Sequence, residues 1–160
     1  MGRRAEVLAD RIEQGAAELA AWAKGLTEQQ WKVPVPKDGR TVGVTVHHVA
    51  SMYPIEMDVV SKVASGGTVM DVTWDAVAGI NAKHAREHRA CSKQEALELL
   101  AKNSKAAADA VRKLSDAELD RAAPFSLSYG APVTAQFVIE DHPLRHPWHH
   151  LSRMKNALNG

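Results

Sequence analysis

Leu8, Ile12, Gly15, Leu19, Trp22 and Leu26 recur at steps of four and three. That spacing leaves one apolar stripe along a helix and fits no strand, whose faces alternate every second residue. The same periodicity returns in Leu97, Leu100, Ser104, Ala107, Val111 and Leu114, behind a start signal at Ser92 and Glu95. A second long helix is expected from about Val42 to Ala64, closed by Gly66-Gly67 and bent at Pro54; a last one should run from about Val133 to Leu158. Thr27 with Gln30 and Ser115 with Glu118 open short helical turns, and the stretch from Thr73 to Glu87 is a less regular helical segment. Phe125 to Tyr129 alternates like a strand but is too isolated to build a sheet. Four long amphipathic helices with short connections predict an all-α fold: a four-helix bundle with short extra helical turns in its connections, one domain over residues 1–160.

Composition narrows the function classes. Of the 160 residues, 45% are hydrophobic and 24% charged, with a formal net charge of +1, so the chain can bury a core and is close to neutral overall. Without a basic run or a basic-aromatic stripe, nucleic acid is not an expected partner. No apolar run is long enough for a bilayer, and the charged first ten residues lack the apolar stretch of a signal peptide, so neither a membrane partner nor a location other than the cytoplasm is expected. Cys91 is the single cysteine, which excludes an internal disulfide and any zinc site made of paired thiolates; it reads as a small residue preceding a helix. Histidine is the unusual count, at eight. Four of these lie between His142 and His150.

Helical phase sorts the histidines. At about 100° per residue, His146 and His150 fall at the edge of the apolar arc of the last helix, in line with Ile139 and Ala157. His149 falls among solvated residues and His142 on the boundary. On the second helix His48 shares a face with Val44, Met52, Ile55, Val59 and Val63, whereas His47 shares one with Ser51, Asp58 and Lys62 and is expected to point outward. Residues four apart stack on one helix face, so His146 and His150 can converge on one ion at about 2.0–2.1 Å each for zinc, with His48 as third ligand from a facing helix. Three protein ligands leave a position open, the pattern of a reactive site and not of a closed structural one. His47, His84, His88, His142 and His149 are left with surface or supporting roles. Pro143 and Pro147 should bend the last helix and turn His146 relative to His150. Glu56 and Asp141 lie near the ligands in sequence but project away from the apolar face, so no general base is identified. Trp22, Trp31, Trp74 and Trp148 read as core residues.

The stretch Leu26-Thr27-Glu28-Gln29-Gln30-Trp31, followed by Pro34, Gly39, Thr41-Val42 and His48-Val49-Ala50, resembles the start of the DinB/YfiT-type metalloproteins. The C-terminal His146-Pro147-Trp148-His149-His150-Leu151 resembles that family's signature, in which the first and last histidines are ligands. Arg40 stands where the family often has Trp, and Pro143 and Pro147 depart from its usual pattern. The resemblance implies a four-helix bundle holding a divalent ion, zinc or nickel foremost, and frequently a homodimer. It also implies activities such as those of S-transferases and isomerases that use a low-molecular-weight thiol, for example mycothiol or bacillithiol. The leading expectation is therefore a metal-dependent transferase acting on a small-molecule substrate with such a thiol. A metal-dependent hydrolase is the second, and a non-catalytic, metal-stabilised, stress-linked binding protein the third.

Overall fold

Ala5, Leu8, Ala9, Ile12, Ala16, Leu19 and Ala23 are all buried along one side of α1 (Arg3–Lys24), so the predicted stripe is the face this helix turns to the core. The computed structural model describes residues 2–160. Thr27 and Gln30 close a reciprocal capping box over α2 (Glu28–Trp31), and Thr41 caps α3 (Val42–Ala64) by accepting from the Val44 N–H at 3.3 Å. α3 spans the expected residues, but it is buried on nearly every side from Val42 to Ala50. It is the central helix of the fold.

α4 (Trp74–Glu87) starts at the Thr73 cap and buries no residue fully. Ser92 caps α5 (Lys93–Arg112), and a second capping box, Ser115 with Glu118, opens α6 (Asp116–Asp120). α1 packs on α5 and on the C-terminal helices, and α3 packs on the same two neighbours. Around the bundle the order is thus α1, α5, α3 and the C-terminal helices, with α1 diagonal to α3.

The C-terminal third departs from the sequence expectation. Periodicity predicts one helix from Val133 to Leu158; the chain instead forms α7 (Ala135–Ile139), a π-helical turn over Glu140–Leu144, and α8 (Arg145–Asn159). The widened turn contains Pro143 and ends just before α8, whose first turn contains Pro147. Prolines that would break an α-helical ladder are accommodated where its register changes. Ahead of α7, β1 (Ala122–Pro124) pairs antiparallel with β2 (Pro132–Thr134), Ala123 facing Val133. The alternation at Phe125–Tyr129 is not a strand: Ser126–Ser128 forms a 3₁₀ turn and Tyr129 takes a left-handed conformation, φ 59°, at the tip of the hairpin.

Trp31 joins the short helix to the bundle. Its indole N–H donates to the Cys91 carbonyl at 3.1 Å, and its ring lies on Gly43, where an added Cβ would fall 2.3 Å from two ring atoms. Gly43→Ala is therefore expected to overpack this contact and cost about 1–3 kcal/mol, read as a lower urea midpoint; an unchanged midpoint would show that Trp31 yields freely.

Candidate metal centre

α3 and α8 bring the three predicted histidines together. His48, on the second turn of α3, and His150 are buried, and His146 is half-buried one helical turn before His150. His146 Nε2 lies 3.1 Å from His48 Nε2 and 3.0 Å from His150 Nε2. Three zinc–nitrogen bonds arranged tetrahedrally would place their nitrogens about 3.3 Å apart, so the triangle needs little adjustment to close on an ion. Neutral imidazoles alone satisfy it poorly. The single in-plane lone pair of His146 Nε2 cannot accept well from both neighbours, nor can that atom donate to both. A cation shared by three lone pairs resolves the conflict, and the three side chains form a group that could hold a metal ion.

The protonation energetics favour ligand-ready rings. Burial holds His48 and His146 well below the usual imidazole range and brings His150 down to about 3, with neighbouring imidazoles and the Arg40 guanidinium acting in the same direction. Neutral imidazole is the form that binds metals. The Nδ1 atoms of His48 and His150 are buried without a partner. His146 Nδ1 is served differently: Glu56 Oε1 sits 3.2 Å away, though off the line of a good hydrogen bond.

Glu56 departs from the sequence expectation. It does not project away from the core but is only 7% exposed, because α3 is covered by α7 and α8 on a side that an isolated amphipathic helix would leave to solvent. Burial pushes its carboxyl up to about 8. Asp141 stays on the rim, paired with Arg145 at 3.2 Å. The prolines do not pull His146 and His150 apart, because the register change of the π turn lies before both residues.

A pocket of about 270 Å³ opens beside the triangle, with His48, His146 and Glu56 at its polar end. Val59, Val72, Val77, Ile80, Phe125 and Leu127 form apolar walls, and His142, Asn81 and Arg145 add polar groups. Trp74, expected in the core, is 62% exposed and lines this pocket. Trp31 is buried and Trp22 packs against the core, while Trp148 is partly exposed. His149 is exposed as expected. His47 is not: it is 3% exposed, facing α4, where it meets His84 and His88.

The fold and the site define a four-helix-bundle protein with a buried, metal-capable histidine triangle at the head of an apolar pocket. The sequence profile of the DinB superfamily matches residues 11–154, and the chain belongs to that superfamily. Among solved structures it is similar to YfiT from Bacillus subtilis, described as a probable metal-dependent hydrolase with an unusual four-helix bundle topology. The two share 17% sequence identity and a TM-score of 0.78, over 99% of this chain and 89% of that one. No curated protein matches the chain. No helix among the described residues is long and apolar enough to cross a membrane.

Proposed function

We propose that this protein is a divalent-metal-dependent transferase in which His48, His146 and His150 hold the ion and a low-molecular-weight thiol is the nucleophile. The observation that carries the reading is where the buried Glu56 carboxyl sits. Glu56 meets His146 at Nδ1, the ring nitrogen remote from the triangle. Although Glu56 also lines the pocket, its contact with the triangle is through this ring nitrogen, which suits it to orient the ligand. When bound, the ion supplies Lewis acidity that favours the anion of a coordinated nucleophile. A thiol, with a pKa of about 8.5, needs far less assistance to ionise than water, at about 15.7. A site whose buried carboxyl is engaged with a ligand ring therefore suits a thiol better. The chain's single thiol is not placed to be that nucleophile: Cys91 is pushed up to about 11 by burial, and its side chain points to the Gly43 carbonyl. The thiol has to come from solution. The apolar walls exclude water from the reacting groups and fit an electrophile with a hydrophobic body, while Arg145 and His142 at the polar end suit an anionic substituent.

Zinc and nickel are the ions to load first. Cobalt-loaded protein titrated with a small thiol should develop an intense near-ultraviolet sulfur-to-metal band, absent from His146→Ala. Thiol binding that is indifferent to metal removal would defeat the mechanism. The second reading is hydrolysis, favoured by the description of YfiT and by Glu56 lining the same pocket. Ester turnover that needs the metal but no added thiol would select it.

A further inference from the structure

We propose that His47, His84 and His88 form a second divalent-cation site that clamps α4, the helix walling the apolar pocket, onto α3. His47 Nδ1 lies 2.8 Å from His84 Nε2. The Ser51 hydroxyl oxygen faces both, at 3.2 Å and 3.3 Å, while its proton is committed to the His47 carbonyl at 2.8 Å. Two imidazole nitrogens and a hydroxyl lone pair thus converge on one point. The His88 ring stacks on His47 with centroids 4.1 Å apart and lies 4.7 Å from His84. One ring nitrogen from each histidine lies within 4.8 Å of the other two.

The nearest acid, Glu95, lines the same groove but makes no ion pair with the three rings. Among the described residues, no carboxylate pairs with any of the three rings, and His84 Nδ1 is buried without a partner. The sequence separation also suits a chelate: His84 lies in the last turn of α4 and His88, four residues on, is the residue that caps the helix's C-terminus. The two triangles share no ligand. The adjacent His47 and His48 point to different sides of α3, and His47 opens onto a separate polar groove with Ser51 and Glu95, not onto the apolar pocket.

The location gives the second ion a task. α4 has no fully buried residue, so apolar packing holds it weakly, yet Trp74, Val77, Ile80 and Asn81 from this helix line the pocket beside His48. A cation joining His84 and His88 to His47 fixes that wall against the central helix. The ligand set stands independently of the proposed reaction; only the effect on the pocket bears on it.

Tag-free protein, stripped and reloaded with zinc, is expected to hold two ions per chain by elemental analysis. His84→Ala/His88→Ala should hold one and His146→Ala one. Both positions are partly exposed and His84 lies within the helix, where alanine is favoured, so folding is expected to persist, checked by circular dichroism. Hydrogen exchange provides a separate readout: zinc should slow exchange of α4 amides in wild type and in His146→Ala, but not in the double variant. Equal zinc content in wild type and the double variant, or α4 exchange indifferent to zinc, would overturn the second site. If instead the double variant retains its one ion through His48, His146 and His150 while wild type binds no more, the first site stands alone. If His146→Ala keeps all the zinc and the double variant loses it, the second site stands and the first fails.

Discussion

His146→Ala is expected to lose the ion held with His48 and His150, and with it any activity that depends on that ion. His146 is the vertex of the triangle, the residue within 3.0–3.1 Å of both others and the one backed by Glu56. Removing a group behind a ligand costs roughly 10–100-fold in affinity; removing this ligand should cost more. Measured in the His84→Ala/His88→Ala background, where one site remains, zinc at about 100 times its Kd should raise the parent's stability by about 2.7 kcal/mol. The added His146→Ala should abolish that increment, and an undiminished increment would take His146 out of the site. The metal-free proteins should differ in acid as well. The folded-state values of these buried histidines lie below the unfolded value of about 6.5. The unfolded chain therefore takes up protons first as pH falls below that value. Each buried histidine then removes about 1.4 kcal/mol of stability per pH unit, down to its folded value, about 3 for His150. His146→Ala should have a shallower loss of urea midpoint between pH 6.5 and 4.5 than wild type.

Glu56→Gln is expected to move metal affinity and metal-free stability in opposite directions. In the metal-free protein the carboxyl titrates at about 8, far above the roughly 4.3 of an unfolded glutamate. A raised folded value means that the proton is held in the native state. The stability this contributes is complete below about 4.3 and is lost as pH rises through 8. Glutamine keeps the shape and removes the charge, so the metal-free variant should be more stable than wild type at pH 8 by about 1–3 kcal/mol. Below about pH 4.3 the gain should vanish. Metal affinity should fall by roughly 10–100-fold, since the carboxylate that orients His146 and supports its Nδ1–H is gone. A structural role alone would move stability without moving affinity. Weaker metal binding with no pH-dependent stability gain would show that Glu56 is already ionised in the metal-free fold.

Much of the helical architecture can be read from local signals because those signals act locally. The caps at Thr27, Thr41, Ser92 and Ser115 each bond a backbone N–H three residues on, so sequence neighbours suffice to specify them. The stripe of α1 is legible because one side of that helix faces the core and the other faces solvent. α3 breaks the same logic. It is surrounded, so polar residues that a helical wheel assigns to the outside, His47 and Glu56, are covered by α4 on one side and by the C-terminal helices on another. The last helix departs for a different reason: two prolines within five residues suggest a kink through the ligands, whereas the π turn places the irregularity ahead of them.

The histidine triangle divides along the same line. Four-residue spacing on one helix and the apolar phase of His48 on another select His48, His146 and His150 from eight candidates, because periodicity alone decides which side chains share a face. Only the tertiary structure decided what stands behind and beside them. Glu56 at His146, the pocket under Trp74, and the second triangle of His47, His84 and His88 all depend on which helices pack against α3, and that information is not periodic in the chain.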